Sequence, residues 1–154
     1  MKIKSYERKA HYYETDQMGM IHHANYVHWL EEARIDYLEQ VGMGYKSMEE
    51  AGVYSPVLSI SCRYKHMVHF DDVIRVQMKL AEYNGIKYKI SYRITDVKTG
   101  QVRALAETEH CFLTAQGRPM NLKKSHPEFD VVMESLMGVE SGQEDEADGA
   151  DAAR

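Results

Sequence analysis

The sequence predicts an α+β fold in which a five-stranded antiparallel sheet wraps around one long helix. One segment repeats apolar residues at helical spacing, and four later segments alternate apolar and polar residues as strands do. An apolar helix face needs a covering layer, and a sheet that is apolar on one side supplies it. The 154 residues suit a single domain with a hydrophobic core.

The predicted long helix follows Asn25, which is a plausible N-cap, and stops before Gly42 at the C′ position. Before it, residues 2 to 13 form the predicted first strand. A short helical piece is predicted over 47–51. The apolar stripe of the long helix consists of Tyr26, Trp29, Leu30, Ala33, Tyr37, Leu38 and Val41. Most charged residues fall on its other side, which is typical of a helix packed against a core.

Four more strands are predicted as a meander. They cover residues 57–66, 72–83, 86–95 and 101–114. Their alternation is typical of antiparallel strands with one buried and one wet face. Asn84-Gly85 predicts a type I′ hairpin turn, because both residues tolerate positive φ. Pro119 ends the last strand, and residues 126 to 137 are predicted to form a terminal helix.

The composition narrows the location and the class of protein. No run of 18 apolar residues exists, so no membrane span is predicted. The first residues have no apolar core of the signal-peptide kind, which argues against export. Cys62 and Cys111 are far apart in strand-like runs, and we interpret them as reduced packing residues. A cytoplasmic location follows from these features.

The formal net charge of −5 comes from the end of the chain. Residues 140–154 hold six of the 24 acidic residues and one of the 19 basic ones, which leaves 18 of each sign in residues 1–139. The domain is therefore predicted to cover 1–139 and to be neutral, which argues against nucleic-acid binding. The segment 140–154 lacks the apolar residues needed to fold, so we predict a disordered acidic tail.

The stretch YETDQMGMIHHANYVHWLEEAR, residues 13–34, joins the first strand to the long helix. With this order of elements, it resembles the hotdog-fold acyl-CoA thioesterases of the 4-hydroxybenzoyl-CoA thioesterase family over about residues 3 to 130. The most specific matches are Tyr13, Asp16, Gly19, His23, Tyr26, Glu32, Ala33 and Arg34. The second match, CRYKHMVHFDD, departs from the family at Met67-Val68, in place of Pro-Ala, and at Asp71, in place of Gly.

The resemblance implies that Asp16 is the catalytic carboxylate. It would either attack the thioester carbonyl to give a mixed anhydride or deprotonate an attacking water. It also implies that the backbone N–H of His23 donates to the developing oxyanion. The first N–H groups of a helix have no intrahelical partner, and such a donor contributes roughly 3–4 kcal/mol to acyl transfer. The His23 side chain either orients substrate or caps the helix.

The resemblance also implies a set of substrate-binding residues. Gly19 would let the backbone come close to the substrate, and CoA phosphates would lie near the strand that begins at Ile86. The full set is Gly19, Asn25, Tyr26, Trp29, Arg63, Tyr64, Lys87 and Lys89. For Tyr26 and Trp29 the alternative is a place in the helix core, and for the lysines it is ordinary solvation.

Other chemistries find no support in the sequence. The histidines lack the convergent spacing of a zinc site, so no metal is predicted. There is no G-x-S-x-G elbow, and neither cysteine has the context of an activated nucleophile. No cofactor is needed, because CoA is part of the substrate.

The predicted function is hydrolysis of an acyl-CoA thioester to free acid and CoA. Two alternatives stay open: a hotdog dehydratase acting on acyl thioesters, and a non-catalytic acyl-CoA-binding module. A five-stranded sheet has open edges, which predicts self-association as a homodimer or homotetramer. The resemblance places the active site at the dimer interface.

Overall fold

The computed structural model describes residues 2–142 and has the predicted α+β architecture. Its helices are α1 (Ala24–Gln40), α2 (Tyr45–Glu50), α3 (Leu122–Ser125) and α4 (Pro127–Leu136), and Tyr12–Glu14 form a 3₁₀ turn. Its strands are β1 (Tyr6–Lys9), β2 (Val57–Tyr64), β3 (Val73–Tyr83), β4 (Lys87–Asp96) and β5 (Val102–Cys111). No helix in the described part is long and apolar enough to cross a membrane.

The five strands form one antiparallel sheet in the order β1-β3-β4-β5-β2. The predicted meander is therefore wrong in one connection. β2 pairs with β5 instead of β3, and residues 65–72 carry the chain from the edge strand β2 to β3, which lies between β1 and β4. Val68 is fully buried within this crossover. Alternation within a strand does not encode its neighbour, so the sequence could not reveal this pairing.

Helix α1 lies against the concave face of the sheet, as predicted. Its buried residues include Trp29, Leu30 and Ala33, which join the apolar faces of β3, β4 and β5 in one core. Gly42 follows the helix with φ 81°, as expected for a C′ residue. The predicted N-cap is wrong, because the helix starts at Ala24 and His23 takes the N-cap position.

The first strand is much shorter than predicted. Only Tyr6–Lys9 pair with β3, although residues 2–13 were expected to be extended. Ala10 is fully buried where the chain turns away from the sheet, and the 3₁₀ turn follows. This early turn brings Glu14 and the residues after it to the start of α1.

The apolar side of β2 is not covered by the other residues that the structure describes. Leu58, Ile60 and Tyr64 are 48%, 42% and 46% exposed, although one face of this strand was expected to be buried. β2 is the edge strand furthest from β1, and a bulge between Val57 and Ser59 shifts its register. One helix is too narrow to cover all five strands, so the outermost apolar face stays open.

One smaller prediction, the type I′ turn at Asn84-Gly85, needs correction. The turn after β3 is not type I′, because Gly85 has φ 90° whereas Asn84 has no positive φ. The Asn84 side chain instead accepts hydrogen bonds from the N–H groups of Ile86 and Lys87. The terminal helix predicted over 126–137 is confirmed as α4, which starts at Pro127, and the short α3 precedes it.

The start of the predicted acidic tail contacts the domain. Glu140 forms a bridge with Lys79 of β3, and the buried Ser141 hydroxyl accepts from the Met78 N–H at 2.8 Å. The ordered chain therefore extends at least to Gly142. The remaining tail residues, 143–154, lie outside the described part, so their disorder stays a prediction.

Candidate active site

Residues 14–22 form a tight hairpin, called here the 14–22 hairpin, that ends at the first turn of α1. Thr15 pairs with Ile21, and the Asp16 N–H donates to the Met20 carbonyl at 2.7 Å. The hairpin folds Asp16 back towards the residues that begin the helix. A carboxylate and a helix N-terminus thus belong to one short, hydrogen-bonded segment.

The Asp16 side chain is half-buried and anchored by one of its two oxygens. Oδ1 accepts from the backbone N–H groups of Met18 at 2.8 Å and Met20 at 3.3 Å. Gly19 completes the turn with φ 76°, a conformation that side chains disfavour. Oδ2 has no hydrogen-bond partner among residues 2–142, which leaves it available to a substrate or water.

The N-terminus of α1 presents an unpaired amide. Among the described residues no group accepts from the His23 N–H, whereas the next amide, of Ala24, donates to His22 Nδ1 at 3.1 Å. The His22 and His23 rings stack with centroids 4.2 Å apart, and both are exposed. The His22 side chain therefore caps the helix, and the His23 amide is free to donate to an oxyanion.

A buried carboxylate that the sequence did not single out fixes this geometry. Glu14, only 4% exposed, accepts two bonds from Arg8 at 2.8 and 2.7 Å and one from Trp29 Nε1 at 2.9 Å. The His11 N–H donates to it at 2.8 Å. Glu14 thus ties β1, the 3₁₀ turn and α1 together two residues before Asp16. Trp29 is fifteen residues away and on another element, so no local pattern indicated this cluster.

Three of the predicted binding residues on α1 have structural contacts. Asn25 donates from its side chain to the Glu14 carbonyl at 2.9 Å, which holds the hairpin against the helix. Tyr26 is buried and its hydroxyl accepts from the Val68 N–H. Trp29 is fully buried beneath Arg8 and bonded to Glu14. The substrate contacts of these three residues stay predictions.

Tyr64 of β2 reaches the start of α1. Its hydroxyl donates to the His23 carbonyl at 3.1 Å, and its ring packs edge-on against Tyr26 with centroids 4.9 Å apart. Desolvation, together with Cys62, raises the pKa of Tyr64 to about 12, so its phenol is protonated at neutral pH. The structure therefore brings Tyr64 into contact with His23 and Tyr26 at the start of α1.

The remaining predicted residues lie elsewhere. Arg63, Lys87 and Lys89 are on the outer face of the sheet, opposite α1. Lys89 lies between Glu82 and Glu109, at 3.9 and 3.5 Å. Within one chain these cations do not meet Asp16, so their role towards CoA stays a prediction.

A cavity of about 110 Å³ lies between α1 and strands β2, β4 and β5. Its lining combines apolar and polar side chains: Val27, Leu30, Glu31, Arg34, Val57, Ile60, Tyr92, Thr108 and His110. Val27 is one turn beyond His23 on α1, so the cavity starts close to the 14–22 hairpin. No cluster of three or more metal-ligating side chains occurs among residues 2–142.

One long helix wrapped by a five-stranded antiparallel sheet defines a hotdog-fold protein. The model of the Thioesterase-like superfamily matches residues 11–136 of the sequence. The chain belongs to this superfamily. The family predicted from the 13–34 stretch is thereby confirmed.

Individual relatives agree with this assignment. YneP of Bacillus subtilis, provisionally named an acyl-CoA thioesterase, is 33% identical over 135 residues, which cover 87% of this chain and 97% of the relative. The acyl-CoA thioesterase YbgC of Haemophilus influenzae is 26% identical over 91 residues, 58% of this chain and 67% of that protein.

The solved structure of a DHNA-CoA thioesterase from Staphylococcus aureus superposes with a TM-score of 0.82 at 29% identity. The match covers 88% of this chain and 91% of that one. The fold and the enzyme class predicted from the sequence, a hotdog thioester hydrolase, are confirmed by these relatives.

Proposed function

We propose that this chain hydrolyses acyl-CoA thioesters to a free acid and CoA, with Asp16 as nucleophile or general base and the His23 amide as oxyanion donor. The observation that carries the proposal is the 14–22 hairpin, which joins the anchored Asp16 carboxylate to the start of α1, where the His23 N–H has no acceptor among the described residues. The names of YneP and YbgC support CoA thioesters as the substrate class.

The hydrogen bonds of Asp16 suggest how the reaction proceeds. Oδ1 is held by two backbone amides, so the carboxylate has a fixed direction before the substrate binds. Oδ2 then either attacks the thioester carbon or takes a proton from a water that attacks it. In both routes negative charge develops on the carbonyl oxygen, which the His23 N–H stabilises because it needs no reorganisation.

Self-association is part of the proposal. The open apolar face of β2 carries Leu58 and Ile60 beside Tyr64, and an uncovered edge strand is a site for pairing with another chain. A second copy there would close the cavity beside α1 and bring its own outer-face cations, Arg63, Lys87 and Lys89, towards CoA. Light scattering of the purified chain tests this, and a monomer at all concentrations would contradict it.

The proposed location is the cytoplasm. Cys62 and Cys111 are both free thiols, which fits a reducing compartment. The proposed partners are the acyl-CoA substrate and a second copy of the chain. Nucleic acid is not among them, because residues 1–139 carry equal numbers of acidic and basic residues.

The decisive experiment is thiol release from a panel of short, long and aromatic acyl-CoAs. Asp16→Asn keeps an oxygen that can accept from Met18 and Met20 but removes the charge, so the hairpin should stay folded. We expect kcat to fall by a factor of about 100 or more. Glu128→Gln on α4, which also removes one carboxylate, is the matched control and should leave kcat unchanged.

Other results would redirect the proposal. Hydrolysis at an undiminished rate in Asp16→Asn would remove this residue from the chemistry. No hydrolysis by the wild type, combined with hydration of an enoyl-CoA, would indicate a dehydratase. Binding of acyl-CoA with neither reaction would indicate a non-catalytic module.

A further inference from the structure

The cavity beside α1 extends away from the proposed reaction centre. Val27 lies one turn past His23, and Arg34 lies about three turns past it, roughly 16 Å along the helix axis. The volume of about 110 Å³ is slightly below the ~150 Å³ cavity that holds benzene in another protein. A thioester at the helix N-terminus could therefore direct a short acyl group along α1 into this space.

A buried arginine without an acidic partner lines the cavity. Arg34 is 2% exposed and donates to the hydroxyls of Tyr45 at 2.6 Å and Tyr88 at 3.4 Å. No carboxylate among residues 2–142 forms an ion pair with it. Buried charges in proteins are normally paired, because an isolated charge loses its hydration without compensation.

The other largely buried arginines follow this rule. Arg8 pairs with Glu14 at 2.7 Å, and Arg103 pairs with Asp96 at 3.0 Å. The environment of Arg34 is therefore exceptional within the described part of the chain. A carboxylate from outside the chain would supply its missing counter-charge.

A second unsatisfied group lines the same cavity. His110 is fully buried and its Nε2 lies 2.7 Å from the Thr108 hydroxyl. Its Nδ1 has no hydrogen-bond partner in the described part of the chain. The Pro56 carbonyl is near enough to influence the ring but lacks the geometry of a hydrogen bond to Nδ1. Burial, reinforced by the charge of Arg34, lowers the pKa of His110 to about 3, so the ring is neutral.

The surrounding network can place a proton on the unpaired nitrogen. The Tyr92 and Thr108 hydroxyls are 2.7 Å apart. If Tyr92 donates to Thr108 and Thr108 donates to Nε2, the neutral His110 ring carries its proton on Nδ1. A buried N–H donor then lies near the Arg34 cation, because the His110 ring stacks on Tyr88 and the Tyr88 hydroxyl accepts from Arg34.

We propose that this cavity binds the far end of a short acyl group that terminates in a carboxylate, paired with Arg34 and hydrogen-bonded by His110. This inference rests on the proposed thioesterase function and names the substrate class, CoA thioesters of short dicarboxylic acids. Glu31 also lines the cavity, but it is exposed, so water screens its charge. The apolar lining, Val27, Leu30, Val57 and Ile60, contacts the methylene groups of such a chain.

The test compares CoA esters matched in length. Adipyl-CoA and glutaryl-CoA carry the terminal carboxylate, whereas hexanoyl-CoA and valeryl-CoA do not, and the enzyme-free rate of each is subtracted. We expect kcat/KM to be about tenfold or more higher for the carboxylated esters, as a hydrogen-bonded charge requires. Equal or lower values for them would overturn the inference while leaving the thioesterase function intact, and no hydrolysis of any ester would contradict the function itself.

Variants assign the preference to the two residues. In Arg34→Met the ratio of adipyl-CoA to hexanoyl-CoA kcat/KM should fall towards one, and Arg34→Lys should retain part of it. Because the ratio is taken within one protein, partial unfolding affects both substrates alike. An unchanged ratio in folded Arg34→Met would overturn the pairing.

A measurement on the wild type covers the case in which the variants do not fold. Adipate should inhibit hydrolysis at concentrations at which hexanoate does not. Equal inhibition by the two acids would contradict the subsite. Faster hydrolysis of a CoA ester whose acyl chain ends in a hydroxyl than of one that ends in a carboxylate would likewise exclude Arg34 as the recognition group.

Discussion

Two polar clusters contact α1, and they are built differently. At the N-terminal end, Glu14 accepts four hydrogen bonds from β1, the 3₁₀ turn and α1, and its charge is paired with Arg8. About three turns on, Arg34 has only phenol partners and His110 keeps an unpaired nitrogen. The Glu14 cluster holds the 14–22 hairpin in place, whereas the Arg34–His110 cluster can gain hydrogen bonds and a counter-charge from a ligand.

The difference follows from the cost of buried charge. The Glu14 network is complete, so any shift of Glu14 would leave its hydrogen-bond donors unsatisfied. The network is therefore rigid and can position Asp16, two residues further along the chain. An incomplete network is retained only where something compensates for it. The predictions below separate these two situations, starting with the largest expected effect.

Removing the charge of Glu14 should be the most damaging change to stability. Glu14→Gln leaves the buried Arg8 with only the more exposed Glu32, at 3.2 Å, as its counter-charge. We expect the free energy of unfolding to fall by about 2–3 kcal/mol in urea titration. Activity should fall through kcat, because the 14–22 hairpin loses its anchor. Glu14→Asp should restore part of both.

The matched control for Glu14→Gln is Glu7→Gln. Glu7 also accepts two bonds from one arginine, Arg75, at 3.0 and 2.7 Å, but this pair is on the surface. Its loss should cost less than ~1 kcal/mol, since exposed ion pairs contribute little. Equal effects of the two substitutions would mean that burial of Glu14 does not set its importance.

Acidification should weaken the protein through His110. Its pKa is about 3 in the fold, against 6.5 as the ordinary value, so below pH 6.5 the unfolded state binds more protons than the folded state. Stability therefore falls as the pH drops through the window from 6.5 to 3. Between pH 7.5 and 5 we expect a loss of about 2 kcal/mol from this residue alone.

The His110→Gln variant isolates this contribution. Glutamine can bond to Thr108 but does not titrate, so the pH dependence of the unfolding free energy should be shallower by that amount. If the unfolding free energies of wild type and variant depended on pH in the same way, His110 would have its ordinary pKa in the folded protein, which would contradict the prediction.

The fold could be predicted where the information is local. The stripe from Tyr26 to Leu38 fixed α1, and the alternation in β3, β4 and β5 fixed the consecutive hairpins. The pairing of β2 with β5 and the early end of β1 depend on contacts between distant segments. The exposed apolar face of β2 was missed for the same reason, since a sequence pattern shows which residues are apolar but not what covers them.

The candidate site divides in the same way. Asp16 and the His23 amide were predicted because a single stretch, residues 13–34, carries both. The clamp on Glu14 joins residues of β1 and α1, and the Arg34–His110 cavity joins α1 to β5, so neither produces a local signal. Asn25 was predicted to be the N-cap because asparagine favours that position. In the structure its side chain donates to the Glu14 carbonyl in the hairpin instead of accepting from a helix N–H.

The smallest expected effect concerns Tyr45, one of the two phenols that bond to Arg34. Tyr45→Phe keeps the ring, which Arg34 also contacts with its guanidinium 5.6 Å from the ring centroid, and removes only the hydroxyl at 2.6 Å. We expect the unfolding free energy to fall by about 1 kcal/mol, with Tyr12→Phe as the exposed, unaffected control.

The same variant also tests substrate preference. If a ligand carboxylate pairs with Arg34, the preference for adipyl-CoA over hexanoyl-CoA should increase in Tyr45→Phe, because the cation has lost a competing acceptor. A decrease would show that Tyr45 holds Arg34 in the orientation that the carboxylate needs.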